Sequence, residues 1–174
     1  MKMNKWFEKL LTFCKKCFGG ERKKKSIKYI VIHYTGIKGD TAKGNCKFFK
    51  RGDQDRYAGA HYFVDDKQVC QSIPLNRIAY SVGASSADKS DGGGTYYGKC
   101  TNENSVSIEL CDALKGASKK QTELCRKLVK KIRKKCPNAT KIIRHWDVTG
   151  KDCPAPFVGK DNKKWKEFKK AIAA

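Results

Sequence analysis

Apolar and polar positions along this chain recur with two periods, and the change from one to the other divides it into elements. Residues 27–34 are dominated by β-branched and aromatic side chains with no turn former among them, which predicts a strong strand that ends on His33 and Tyr34. Residues 61–64 and 68–73 flank Asp65-Asp66-Lys67 and predict a β-hairpin. Over residues 105–111, Val106, Ile108 and Leu110 fall on one side of a strand, and Ser107, Glu109 and Cys111 on the other. Ile142-Ile143 closes a further short strand, followed by a loop through Thr149-Gly150 and a stretch that Pro154 and Pro156 are expected to keep extended. Helical spacing is clearest over 119–136, where Leu124, Cys125, Leu128, Val129 and Ile132 form one stripe and Pro137 follows the end. Shorter helices are expected at 41–51, containing Phe48-Phe49, and at about 161–172, burying Trp165, Phe168 and Ile172. The glycine- and serine-rich run from Ser81 to Gly98 reads as a long loop, and in a domain of this size such a loop borders a groove.

The first 25 residues have a different pattern. Trp6, Phe7, Leu10, Leu11, Phe13, Cys14, Cys17 and Phe18 recur at helical spacing among lysines, which predicts an amphipathic helix over 3–18 ended by Gly19-Gly20. Glu8 and Lys9 interrupt any secretory apolar core, and the stretch is too short and too charged to cross a bilayer. Two readings stand: the apolar face packs on the body of the protein, or it lies on an anionic membrane surface. Residues 21–25 read as a solvated basic linker. The expected organisation is therefore an arm and linker over 1–25 and one α/β domain over 26–174, with a central mixed β-sheet flanked by helices.

Charge changes this picture more than length does. The 174 residues include 39 Lys and Arg against 17 Asp and Glu, a net charge of +22. The first 25 residues hold nine basic and two acidic groups, so the basic character extends well beyond the arm. Such an excess predicts attraction to a polyanion: nucleic acid, anionic lipid or the teichoic acids of a bacterial wall. No nucleic-acid reading motif accompanies the charge, which argues against the first. The nine cysteines mostly occupy positions where a small apolar residue would fit, so reduced, buried thiols are expected. Cys14 and Cys17 read as one face of the expected helix, not as a redox pair.

Candidate chemistry centres on residues 144–154. His145 and Cys153 lie at either end of one loop, and imidazole and thiolate are both zinc ligands. A third ligand is available at the end of the first strand, His33, since two strand ends can meet at one edge of a sheet. A His, His, Cys set leaves one coordination position open, as catalytic rather than structural zinc is held. Glu109 is a carboxylate in the middle of an otherwise apolar strand, where burial without a partner is costly. It is either an ion-pair partner for one of many lysines or a general base near the metal.

In order and spacing, Val31-Ile32-His33-Tyr34-Thr35, Gly59-Ala60-His61-Tyr62-Phe63-Val64-Asp65, Asn104-Ser105-Val106-Ser107-Ile108-Glu109-Leu110 and Arg144-His145-Trp146-Asp147 through Cys153-Pro154 resemble the zinc-dependent N-acetylmuramoyl-L-alanine amidases. That group includes phage endolysins of the T7-lysozyme type and is related to the peptidoglycan recognition proteins. The resemblance spans roughly residues 26–172. It implies Zn2+ on His33, His145 and Cys153, with Glu109 as the general base. It implies Lys151 as the cation that steadies the oxyanion and substrate contacts from Tyr34 and Asn104, while His61, not a zinc ligand, is expected either to contact substrate or to support the groups that hold the metal. T7-type relatives carry a tyrosine just before the block histidine. Here that position is Ala60, so the proton work is left to Glu109. Where many relatives have Ala-Trp-His-x-Gly, this chain has Ala79-Tyr80-Ser81-Val82-Gly83. Asp147 is expected to orient its loop through backbone hydrogen bonds.

The reaction implied is hydrolysis of the amide between N-acetylmuramic acid and L-alanine in peptidoglycan, by a monomeric endolysin of phage or prophage origin. Such an enzyme is made in the cytoplasm and acts on the wall after release. The length leaves no room for a usual wall-binding domain, and the basic surface would stand in for one. The alternative is a recognition module that binds peptidoglycan without cutting it, against which Cys153 argues.

Overall fold

The computed structural model describes residues 6–52, 57–159 and 161–174. Among these residues six strands form one mixed sheet, in the order Phe7–Lys9, Val69–Gln71, Tyr62–Val64, Ser105–Leu110, Tyr29–Tyr34 and Lys141–Arg144. The strongest strand of the sequence, β3 (Tyr29–Tyr34), lies between β7 (Ser105–Leu110) and the edge strand β8 (Lys141–Arg144), parallel to both. On the other side of β7, β4 (Tyr62–Val64) runs parallel and returns as the antiparallel β5 (Val69–Gln71), the expected hairpin. β1 (Phe7–Lys9) is the second edge, while β2 (Phe18–Glu21) and β6 (Arg77–Ala79) make a separate ribbon. The expected helices form as α1 (Ala42–Arg51), α2 (Lys119–Lys135) and α4 (Lys163–Ala173). Thr41 caps α1 by accepting from the Gly44 amide, and Ser118 caps α2 by accepting from that of Gln121.

Because side chains alternate along a strand, each sheet face has its own partners. Ile30 and Ile32 of β3, Val106, Ile108 and Leu110 of β7, and Ile142 of β8 face α2 and α4. They pack there against Leu124, Leu128, Ile132, Trp165, Phe168 and Ile172. The opposite face is covered in two pieces. Ala42 and Cys46 of α1 lie over Phe63 and Cys70, and Val82, Cys100 and Val148 lie over Tyr29, Val31 and Ile143. Between those pieces the face stays open, and His33 and Glu109 project into the opening.

The helix expected over residues 3–18 is not formed; its first three residues lie outside the described ones, and none of 6–18 is helical. The chain runs extended along β5 instead, with Val69 N donating to Trp6 O (2.7 Å), Leu10 N to Gln71 O and Thr12 N to Ser72 O (both 2.9 Å). The exposed edge of β5 presents backbone groups that only an extended neighbour can satisfy, and that demand overrides helical spacing. Trp6 and Phe7 pack on the main core, and Phe13 is left 80% exposed. Gly19 and Gly20 sit inside β2, and Cys17 N bonds to Cys14 O in a turn. Cys46, Cys70, Cys100, Cys111, Cys125, Cys136 and Cys153 are buried free thiols. No helix among the described residues is long and apolar enough to cross a membrane.

The basic linker over 21–25 also needs correction at one residue. Arg22 reaches inward and donates to the carbonyls of Leu75 (3.1 Å), Asn102 (2.9 Å), Glu103 (3.0 Å) and Ser105 (2.6 Å), and its Nη2 lies 2.7 Å from His61 Nε2. The Ser107 amide donates to Nδ1 at 3.1 Å, and Nε2 also lies 3.1 Å from the Arg77 carbonyl oxygen. His61 is fully buried; burial first and Arg22 second hold its pKa down at about 3. In the unfolded chain the same ring titrates near 6.5, so below that pH the unfolded state binds the extra proton. The stability His61 contributes is therefore complete above pH 6.5 and lost as pH falls toward 3, by about 1.4 kcal/mol per pH unit. Denaturant midpoints of the metal-free protein should fall from pH 7 to pH 4.5, with a shallower slope in His61→Gln. Equal slopes in the two proteins would contradict this account of His61.

Candidate metal centre

The register that pairs Ile32 of β3 with Arg144 of β8 places the next residues, His33 and His145, abreast. Their ring centroids are 4.7 Å apart. The loop expected after β8 is instead one helical turn, α3 (His145–Thr149), ended by Gly150 at φ 78°. Trp146 N then donates to Cys153 O at 2.8 Å, and this closure returns Cys153 to the two histidines. Pro156 lies in a short 3-10 turn at Ala155–Phe157 where extended chain was expected.

Buried polar groups hold this turn. Asp147 accepts from the Arg144 amide at 2.7 Å and from its Nη2 at 2.8 Å, the orienting role expected for it. Arg144 is 3% exposed. Its Nη1 donates to Phe157 O at 2.7 Å and to the Asn162 side chain, and its guanidinium lies over the Trp146 and Trp165 rings at 4.4 and 5.2 Å. The long loop docks on the same turn through Asp88 N to Thr149 O (2.9 Å), Gly94 N to Trp146 O (3.0 Å) and Tyr96 N to Asp147 O (2.9 Å).

His33, His145 and Cys153 are all buried, and one ligand atom from each lies within 4.8 Å of the others. Cys153 Sγ is 3.9 Å from His33 Nδ1, and His33 Nε2 is buried without a hydrogen-bond partner. Burial holds His33 well below the usual histidine range, with His145 and Lys151 adding to the effect, and burial followed by Lys151 holds His145 down at about 4. Both rings are neutral and offer lone pairs. Burial, reinforced by Glu109, pushes the Cys153 thiol up to about 12, so a thiolate here needs a cation beside it. Two neutral imidazoles, that of His33 with an orphaned ring nitrogen, and one sulfur fit Zn2+.

Glu109 sits opposite His33 in the β3–β7 register, and its Oε1 is 4.0 Å from His33 Nδ1. No lysine or arginine pairs with it among the described residues, and Oε2 is buried without a partner. Burial pushes its pKa up to about 7, with Lys151 opposing and Asp40 assisting. The ion-pair explanation for this carboxyl is thereby set aside. Lys151 and Tyr34 line the same groove, which encloses about 820 Å³.

The other two expected substrate residues are elsewhere. His61 lies beneath the surface in the Arg22 network and does not line the groove. Asn104 precedes β7, at the strand end remote from the metal ligands, where it accepts from the Thr101 amide and donates to Lys99 O. The groove wall also contains Tyr57, which sequence alone did not mark, and Tyr80, from the block where many relatives have Ala-Trp-His-x-Gly. Tyr57, 71% exposed, and Tyr80 meet edge to face at 5.8 Å. An isolated Tyr57 beside a loop gives no periodic signal, so only the fold reveals its place beside Tyr80.

A profile of the N-acetylmuramoyl-L-alanine amidase family matches residues 23–156. The chain is similar to the N-acetylmuramoyl-L-alanine amidase CwlL of Bacillus licheniformis, 34% identical over 155 residues that cover 84% of this chain and 41% of CwlL. It is 31% identical over 167 residues to the amidase BlyA of Bacillus subtilis (strain 168), covering 87% of this chain and 42% of that protein. It thus spans about two fifths of the length of these relatives. Among solved structures, PlyL superposes with a TM-score of 0.73 at 21% identity over 97% of both chains. The catalytic domain of XlyA gives 0.71 at 23% identity, over 95% of this chain and 98% of that one. At such identities the likeness shows a shared fold, and the profile match over most of the length shows the descent: the chain belongs to the N-acetylmuramoyl-L-alanine amidase family.

Proposed function

We propose that this chain is a zinc-dependent hydrolase of the amide between N-acetylmuramic acid and L-alanine in bacterial peptidoglycan, acting as an endolysin on the wall after release from the cytoplasm. The observation that carries the reading is the meeting of His33, His145 and Cys153 with a half-buried carboxyl, Glu109, that has no lysine or arginine partner among the described residues, on the floor of one groove. Family membership and the likeness to the catalytic domain of XlyA support it.

Zinc held by His33, His145 and Cys153 would supply Lewis acidity to the scissile carbonyl and to water. The remaining work falls to the chain's own groups. The Glu109 carboxylate, whose Oε1 faces His33, takes a proton from the attacking water and returns it to the leaving amine nitrogen. Burial raises this carboxyl in the metal-free protein, and a cation held beside it would draw it back toward the ionised form that accepts a proton. Lys151 places a cation in the groove where negative charge develops on the carbonyl oxygen. Tyr34 and the Tyr57–Tyr80 pair bound the space in which the glycan and stem peptide lie.

The test combines metal analysis with product analysis. The expected result is about one zinc per chain, as three convergent donors imply, and release of new L-alanine amino termini from purified peptidoglycan. Chelation should abolish the release and added zinc restore it. Tight binding to peptidoglycan with no new amino termini, with zinc present, would make the chain a recognition module instead.

A further inference from the structure

Sequence leaves three classes of partner for the basic surface, and its position on the fold separates them. α2 and α4 lie together over the sheet face opposite the groove. Their 17 and 11 residues hold 14 Lys and Arg against Glu123 and Glu167, so these two helices supply +12 of the net +22. Their apolar side chains, Trp165 and Phe168 included, are turned into the core. Among the described residues the exposed large apolar side chains are Phe13, Ile37, Phe48, Tyr57, Tyr97 and Leu114, and none lies on either helix.

That combination is selective. Helices that settle on a bilayer insert apolar side chains below the headgroups, and this face has none to insert. Proteins that hold single-stranded nucleic acid stack bases on aromatic rings, which this face also lacks. It offers cations alone, spread along two helices, and so fits a flexible chain whose recognisable feature is a repeating phosphate. We propose that the α2–α4 face is a docking surface for the phosphodiester-linked polyol polymers of the bacterial wall. The polymer is held on the back of the molecule while the groove faces the glycan. The proposal rests on the peptidoglycan reading only for where the polymer is met, because binding is measured apart from hydrolysis.

Two sets of substitutions at exposed lysines remove equal charge from different faces. One is K130Q, K134Q, K166Q and K170Q together; the other is K38Q, K47Q, K50Q and K99Q together. Sedimentation with purified walls measures binding, before and after hydrofluoric acid has stripped the phosphodiester polymer. Wild type should bind intact walls in a salt-dependent manner and lose most of that binding on stripped walls. The helix set should weaken binding to intact walls roughly tenfold and reduce the salt slope by about 0.7 for each lysine–phosphate pairing removed, with the other set much less affected. Release of amino termini from a soluble muramyl peptide should be the same for all three proteins, and added polymer should not inhibit it. Undiminished binding to stripped walls, or equal weakening by both sets, would overturn the proposal. So would tighter binding to phosphatidylglycerol vesicles or to duplex DNA than to the isolated polymer.

Discussion

Glu109→Gln is expected to lower turnover on peptidoglycan by about 10² to 10⁴-fold while zinc content stays that of wild type. The amide keeps the shape and size of the carboxyl beside His33 but cannot take a proton from water. None of the three metal ligands is touched, so loss of metal cannot account for the fall. The same substitution should act on stability in the opposite sense. In the metal-free protein burial raises the folded-state pKa of Glu109 to about 7, above the unfolded value of 4.5. Its stabilising share is therefore complete below pH 4.5 and lost as pH rises through 7. Metal-free E109Q should accordingly be more stable than metal-free wild type at pH 8, and the difference should shrink toward pH 4.5. Less activity with more stability is the mark of a group buried for function. Comparable turnover in the two proteins would remove Glu109 from the mechanism.

Gly150→Ala should be the most disruptive single methyl group in the region. A Cβ at residue 150 would lie 2.0 Å from the carbonyl oxygen of Asp88, at a φ of 78° that side chains other than glycine rarely adopt. Backbone strain of about 1–2 kcal/mol adds to a steric penalty of about 1–3 kcal/mol. Relief requires the 81–98 loop to lift from α3, which breaks the bond from Asp88 N to Thr149 O. Gly150 lies between His145 and Cys153, so the metal ligands would be displaced with it. A lower denaturant midpoint together with weaker zinc binding is expected. Unchanged values of both would show that the loop yields without cost.

Legibility from sequence followed the kind of interaction involved. β3, β7, α2 and α4 were readable because long periodic apolar faces bury against one core. His33, His145 and Cys153 were readable because strand ends and a short loop constrain where their side chains can go. The segment at 6–12 misled because apolar residues spaced for a helix can also be shared between two sides of an extended edge, and the open edge of β5 is visible only in three dimensions. Arg22 could not be distinguished from its basic neighbours, since its partners are carbonyls of residues 75–105. His61 was placed beside the substrate or the groups supporting the metal by resemblance, whereas its burial follows from that arginine. Asn104 was misplaced because a motif preserves order along the strand but not which end of it reaches the groove.

The Arg22 clasp also decides where this folding unit can be cut. A chimera begun at residue 23, where the family profile starts, would keep every metal ligand and every residue of the groove. It would lose β1, and with it the cover on β5, exposing a strand edge that invites pairing between copies. It would also leave four carbonyls without their shared donor and a buried imidazole without the guanidinium packed beside it. The natural junction for grafting lies before Trp6, and fusions made there are the ones expected to stay soluble.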